Sequence, residues 1–176
     1  MEKNGLGLLH VYTGEGKGKT TAALGLVFRA LGRGLRVAVL QFVKGRWETG
    51  ERLLAERGLP GLEWHVMGEG FTWEGKDPAI HAAAARAGWA KARALIGAGA
   101  HDVVVLDEVM LPLARGWIDE GDLIAAVRAR REGMHVVLTG RGAPAAIVEA
   151  ADLVSEMRAV KHPFEKGVMA IAGVDF

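Results

Sequence analysis

The stretch Thr13-Gly14-Glu15-Gly16-Lys17-Gly18-Lys19-Thr20 lies between an apolar run, Leu8-Leu9-His10-Val11-Tyr12, and a helix-forming segment, Thr21 to Leu31. Strand, glycine loop, helix is the order that decides the fold. Glycines let successive backbone N–H groups turn inward onto one point, and the following helix adds its partial positive N-terminus. In such a loop Lys19 reaches a phosphate as a point charge, and the Thr20 hydroxyl is placed to touch a magnesium ion. Gly14, Glu15, Gly16, Lys17, Gly18 and Thr21 complete a triphosphate cradle of the P-loop kind. The standard pattern, G-x-x-x-x-G-K-[ST], puts Thr13 where its first glycine belongs. Either Thr13 replaces that glycine, or Gly14 serves in a loop one residue tighter.

The chain of 176 residues is expected to form one domain, long enough to bury roughly two-thirds of its unfolded surface. Half of its residues are hydrophobic and 25 are glycine, which suits an α/β protein with many tight turns. A net charge of +1 makes no electrostatic case for nucleic acid or a membrane as partner. Without cysteine there are no disulfides, zinc–thiolate sites or thiol chemistry. No apolar stretch approaches about 18 residues, and the first strand begins too soon for a signal peptide. The cytoplasm is the expected location.

Beyond the loop, strands and helices alternate. Arg36–Phe42 reads as a buried strand because its apolar residues are continuous, and a short helix is expected over 51–57. Leu62–Met67 is a third strand. Asp77 and Pro78 begin a long Ala-rich helix running to about Gly97. The strand 101–108 ends in two acids; a helix follows over 119–131, capped by Gly133. Met134–Thr139 and Leu153–Met157 are further strands, separated by a short helix ending near Ala151, and Val168–Ile171 is a candidate edge strand. This pattern predicts a mostly parallel central sheet with helices on both faces, the P-loop NTPase-like (RecA-like) class.

Asp107 and Glu108 close an apolar run, as expected where a second strand lies beside the P-loop. Carboxylates there hold magnesium directly or through water, opposite Thr20, and spacing does not decide which of the two is inner-sphere. Arg141, in Thr139-Gly140-Arg141-Gly142, sits at the carboxyl end of a strand, where ligands bind in open α/β sheets. Its fork of donors suits a phosphate. Phe71 and Trp73 lie in a Gly-bounded loop, where aromatics ordinarily fold onto a core; these two suit the wall of a pocket for a large flat apolar ligand. The six histidines show no metal-binding spacing, though His162 lies in a turn within reach of the site.

Several separated blocks together resemble the ATP:corrinoid adenosyltransferases of the cobalamin pathway, of the cob(I)yrinic acid a,c-diamide type. They are Thr13 to Ala23, Gln41-Phe42-Val43-Lys44-Gly45, Gly70-Phe71-Thr72-Trp73-Glu74, Val104 to Glu108, Thr139 to Gly142, Ala151 to Glu156 leading to Val160–Phe164, and the closing Gly173-Val174-Asp175-Phe176. The resemblance implies transfer of the 5′-deoxyadenosyl group of ATP onto Co(I) of a corrinoid, with triphosphate released. It implies Mg²⁺ as cofactor, Thr20 and Glu108 as its ligands, and a nucleotide lying reversed relative to ordinary P-loop enzymes. It also implies that Phe71 and Trp73 cover the lower face of the corrin and exclude an axial ligand, easing reduction of Co(II). An electron donor for that reduction and a homodimer are the implied partners. Some relatives carry Asn where this chain has Glu15, and some carry an N-terminal helix over the partner's site; with about a dozen residues before the loop, another segment would supply that cover. Two other readings of the P-loop are a small kinase and a RecA-like ATPase acting on nucleic acid; they would release ADP, or ADP and phosphate, instead of triphosphate.

Overall fold

The computed structural model describes residues 7–43, 48–68 and 77–176. Six strands form one sheet in the order β3-β2-β4-β5-β1-β6: β1 (Leu9–Thr13), β2 (Val37–Gln41), β3 (Leu62–Val66), β4 (Val103–Asp107), β5 (His135–Thr139) and β6 (Leu153–Glu156). Every pairing is parallel, so the sheet goes beyond the mostly parallel arrangement expected. Parallel strands need crossovers, and helices supply them. These are α1 (Lys19–Leu31), α2 (Gly50–Glu56), α3 (Pro78–Ala98), α4 (Met110–Ala114), α5 (Glu120–Arg128) and α6 (Ala145–Ala150), followed by a 3₁₀ turn over Pro163–Lys166.

The continuous apolar runs are explained by burial on both faces. Val103 and Val105 of β4 pack with Ala23, Val27 and Ala30 of α1 on one side of the sheet. Val104 and Leu106, pointing the opposite way, join Trp89, Ala92 and Ile96 of α3, Leu123 and Val127 of α5, and Ile147 of α6. Helix α3 begins as its sequence implies: the Asp77 carboxylate accepts from the Ala79 N–H at 2.9 Å, Pro78 fills the first turn, and Gly99 ends it at φ 65°.

Two expectations are revised, and one short helix is added to them. Val168–Ile171 forms no strand; Val168, Met169 and Ile171 are 46–72% exposed, so the run lacks the burial that would reward pairing. Helix α5 stops at Arg128, because Arg130 and Arg131 turn their guanidiniums onto carbonyls of Val127, Met134, Gly7, Gly99 and His101. Gly133 then serves the turn into β5. Helix α4 follows Asp107 and Glu108 directly, carrying Pro112 in its first turn, where a missing N–H costs nothing. The acidic strand β4 does lie beside the P-loop, with Asp107 accepting from Thr20, although β5 separates it from β1 in the sheet.

Candidate functional site

All six strands point the same way, so Thr13, Gln41, Asp107 and Thr139 end along one edge of the sheet. The loop sits there. Thr13 stays in β1 and accepts the Ala143 N–H through Oγ1 at 3.1 Å. The chain turns at Gly14, with φ 96°, and enters α1 through Gly18, with φ 121°. Both values lie where a side chain is strained. Gly14 therefore makes the turn that the usual pattern assigns to its first glycine.

A cavity of about 600 Å³ opens over the loop, lined by residues 15–21 together with Glu108, Arg141, His162 and the carboxylate of Asp175. The site thus brings together Glu15, Gly16, Lys17, Gly18, Lys19, Thr20, Thr21, Glu108 and Arg141; Gly14 supports it from below. Phe71 and Trp73 lie outside the described residues, as do Lys44 and Gly45. His162 does reach the cavity, and its Nδ1 accepts the Phe164 N–H at 3.2 Å.

Lys19 is 6% exposed, and its ammonium donates to the carbonyls of Gly14 and Gly16, each at 2.8 Å. Two neutral acceptors hold it at the loop's centre without neutralising its charge. Burial pushes its pKa below the ordinary lysine value; Glu108 opposes this, Arg141 adds to it, and Glu15 and Asp107 oppose it. One loop amide is already engaged: Gly16 N–H donates to the Met157 carbonyl at 2.6 Å. That amide is therefore not available to a phosphate, whereas those from Lys17 onward open at the helix N-terminus.

Asp107, 1% exposed, is the most constrained acid in the site. Its Oδ1 accepts from Thr20 Oγ1 and Thr139 Oγ1, both at 2.8 Å, and its Oδ2 accepts from Gln41 Nε2 at 3.3 Å. Because Thr20 gives its proton to Asp107, the lone pairs of its hydroxyl are left for a cation. Glu108 differs sharply. It lines the cavity, and among the described residues it alone, apart from glycines, has a positive φ, at 59°. Its N–H donates to Thr139 Oγ1 at 2.8 Å, which holds that turn. A non-glycine in this region costs on the order of 1–3 kcal/mol and persists where the surroundings impose it.

Arg141 is paired with Glu15 at 2.6 Å across the cavity mouth, both side chains more than 60% exposed. A pair so exposed holds weakly, so a phosphate can take Arg141 in exchange. Gln41 and Thr139 are the supporting residues that sequence reasoning passed over. Their signal is present: three apolar strands, β2, β4 and β5, each end in one polar residue, and these three ends adjoin in register. No group of three or more His, Asp or Glu residues able to hold a metal occurs among the described residues. A hydroxyl and one or two carboxylates beside a phosphate cradle suit magnesium, which keeps waters and phosphate oxygens as its other ligands.

Comparison with known proteins extends this. The chain is 45% identical over 170 residues to a corrinoid adenosyltransferase of Pseudomonas aeruginosa, covering 97% of this chain and 84% of that one. It is 44% identical to the corrinoid adenosyltransferase CobA of Salmonella typhimurium and 42% identical to the corrinoid adenosyltransferase of Escherichia coli K12, covering in both cases 97% of this chain and 86% of the relative. Among solved structures, the flagellar accessory protein FlaH of Methanocaldococcus jannaschii superposes with a TM-score of 0.54 at 14% identity, covering 86% of this chain and 71% of FlaH. That likeness concerns the fold alone and agrees with the RecA-like class. The model of one family, ATP:corrinoid adenosyltransferase BtuR/CobO/CobP, matches residues 5–176, and the chain belongs to that family.

Proposed function

We propose that this chain, as one catalytic domain over residues 1–176, transfers the 5′-deoxyadenosyl group of ATP to the cobalt of a corrinoid in the cobalamin pathway. The observation that carries the reading is a triphosphate cradle built around a buried lysine, in a chain matched to the family over nearly its whole length. Cobalt, reduced to Co(I), is the nucleophile. Its electron pair forms the bond to C5′, the C5′–O bond breaks, and triphosphate leaves with that bond's electrons. The substrate supplies the nucleophile itself, so the protein needs no Ser–His or Cys–His set. Its work is positioning and charge stabilisation.

Each residue then has a role set by its chemistry. Lys19 and the amides from Lys17 to Thr21 stabilise charge on the departing triphosphate. Arg141 exchanges Glu15 for a phosphate oxygen. The Thr20 hydroxyl, having donated to Asp107, and the Glu108 carboxylate would hold Mg²⁺ directly, and Asp107 would act from behind through Thr20. When bound, the ion neutralises part of the triphosphate charge. Phe71 and Trp73 would cover the lower face of the corrin, keeping a donor off cobalt so that Co(II) accepts an electron more easily. That electron comes from a separate one-electron donor. We place the enzyme in the cytoplasm as a homodimer; no helix among the described residues is long and apolar enough to cross a membrane.

The test is anaerobic incubation with Mg-ATP and chemically reduced cob(I)alamin. A light-sensitive adenosylated corrinoid should appear in the visible spectrum. An unchanged corrinoid spectrum with intact, folded protein contradicts the proposal.

A further inference from the structure

Residues 173–176 lie against the phosphate loop, and apolar burial does not hold this end of the chain there. Met169 is 72% exposed, Val174 70% and Ile171 52%. The connection is polar. Lys17 of the loop forms an ion pair with Asp175 and donates to the Val174 carbonyl at 3.2 Å. Asp175 is braced for this. Its second carboxylate oxygen accepts the Ile171 N–H at 2.8 Å, its own N–H returns to the Ile171 carbonyl at 2.8 Å, and Gly173 N–H closes the turn on the Phe176 carbonyl at 2.8 Å. A turn closed on itself presents the carboxylate in a set direction, with little left to order when Lys17 arrives. Asp175 also lines both the main cavity and a second cavity of about 300 Å³, and the two cavities share Thr20 and Thr21 as well. Asp175 is thus the residue of the turn common to both cavities.

We propose that Asp175 is a positioning residue for the triphosphate site. By anchoring Lys17, it seats the turn 171–176 as a wall of the cavity and holds the Lys17 ammonium at the cavity edge. This rests on the reading of that cavity as the triphosphate site. Without Asp175 the turn loses its link to the loop, and Lys17 samples solvent instead of one direction. ATP affinity falls, whereas the corrinoid side of the reaction is left alone.

The experiment compares wild type, Asp175→Asn, Asp175→Glu, Lys17→Gln and the double variant Lys17→Gln/Asp175→Asn by calorimetric titration with Mg-ATP, and by KM for each substrate. The Lys17–Asp175 pair is partly exposed, so Asp175→Asn should weaken ATP binding about two- to fivefold. Its KM for ATP should rise in step while that for the corrinoid stays, and Asp175→Glu should recover most of the loss. The deficit should shrink at high salt, as for any pair near solvent. In the double variant the two losses should be strongly non-additive. ATP binding by Asp175→Asn equal to or tighter than wild type overturns the proposal, and so does full additivity. Titration with ATP needs no corrinoid; failure of adenosyl transfer by the wild type would count against the proposed function and leave this comparison standing.

Discussion

Thr139→Val removes one buried hydroxyl while keeping the side chain's shape, so it isolates a polar effect from a packing one. The hydroxyl donates to Asp107 Oδ1 and accepts the Glu108 N–H, each at 2.8 Å, in a residue with no exposure. A hydrogen bond to a charged group contributes about 1.5–3 kcal/mol, and a stranded buried N–H costs about 1–3 kcal/mol. The two overlap, since one hydroxyl makes both, giving a loss of roughly 2–4 kcal/mol. For a chain of this length each kcal/mol moves Tm by about 2–4 °C, so thermal unfolding should come roughly 5–15 °C earlier. The same change releases the positive-φ turn at Glu108, so KM for Mg-ATP should rise along with the loss of stability. Thr139→Ser keeps the hydroxyl and should hold KM at its wild-type value. Calorimetric melting and initial rates at varied ATP are the assays. A Thr139→Val protein melting within about 2 °C of wild type with unchanged KM would refute the account of how Asp107 and Glu108 are held.

Lys19→Ala should lower kcat/KM for ATP at least about a hundredfold, the scale of removing a preorganised charge from a transition state, with the fold intact by circular dichroism. Because burial holds the Lys19 pKa below its ordinary value, kcat/KM for ATP should fall as pH rises, with a midpoint below that of a free lysine; a profile flat through that range would contradict it. Glu108→Asn, which suits a positive φ better, should leave melting unchanged or raised while transferase activity collapses; loss of both together would mark Glu108 as structural. His10 and His135 face each other at 6.0 Å across β1 and β5, and burial holds both pKa values below the ordinary one. The unfolded chain takes up these protons near pH 6.5 and the folded one only lower, so the stability they contribute is complete above that pH and is lost as pH falls below it. Urea midpoints at pH 7.5 and 5.5 should show the drop, and it should shrink in His10→Gln.

The parts of this molecule read most directly from sequence are those whose cause is local. Thr13 to Thr20 between an apolar strand and a helix is such a part, and so is Asp77-Pro78 opening α3. The runs Val37–Leu40 and Val103–Leu106 are legible because burial on both faces removes any need for alternation. Helix α4 was not legible: five residues around Pro112 have no periodicity to display, and their conformation follows from docking Met110 and Leu113 into the core. Val168–Ile171 misleads for the opposite reason, since an apolar run signals a strand only where a sheet edge receives it. The contact of Gly16 with Met157 depends on β6 lying beside β1, and that of Lys17 with Asp175 on how the chain returns to the loop, matters of topology that residue spacing does not express.

The central claim concerns which bond of ATP is broken, and labelled substrate reads it directly. ATP carrying ¹³C at C5′ would be turned over with Mg²⁺ and cob(I)alamin under anaerobic conditions in the dark, and the products resolved by NMR. The account predicts the label on a cobalt-bound carbon, with one triphosphate released for each corrinoid adenosylated. Label remaining in ADP, with the γ-phosphate moved elsewhere, would contradict it.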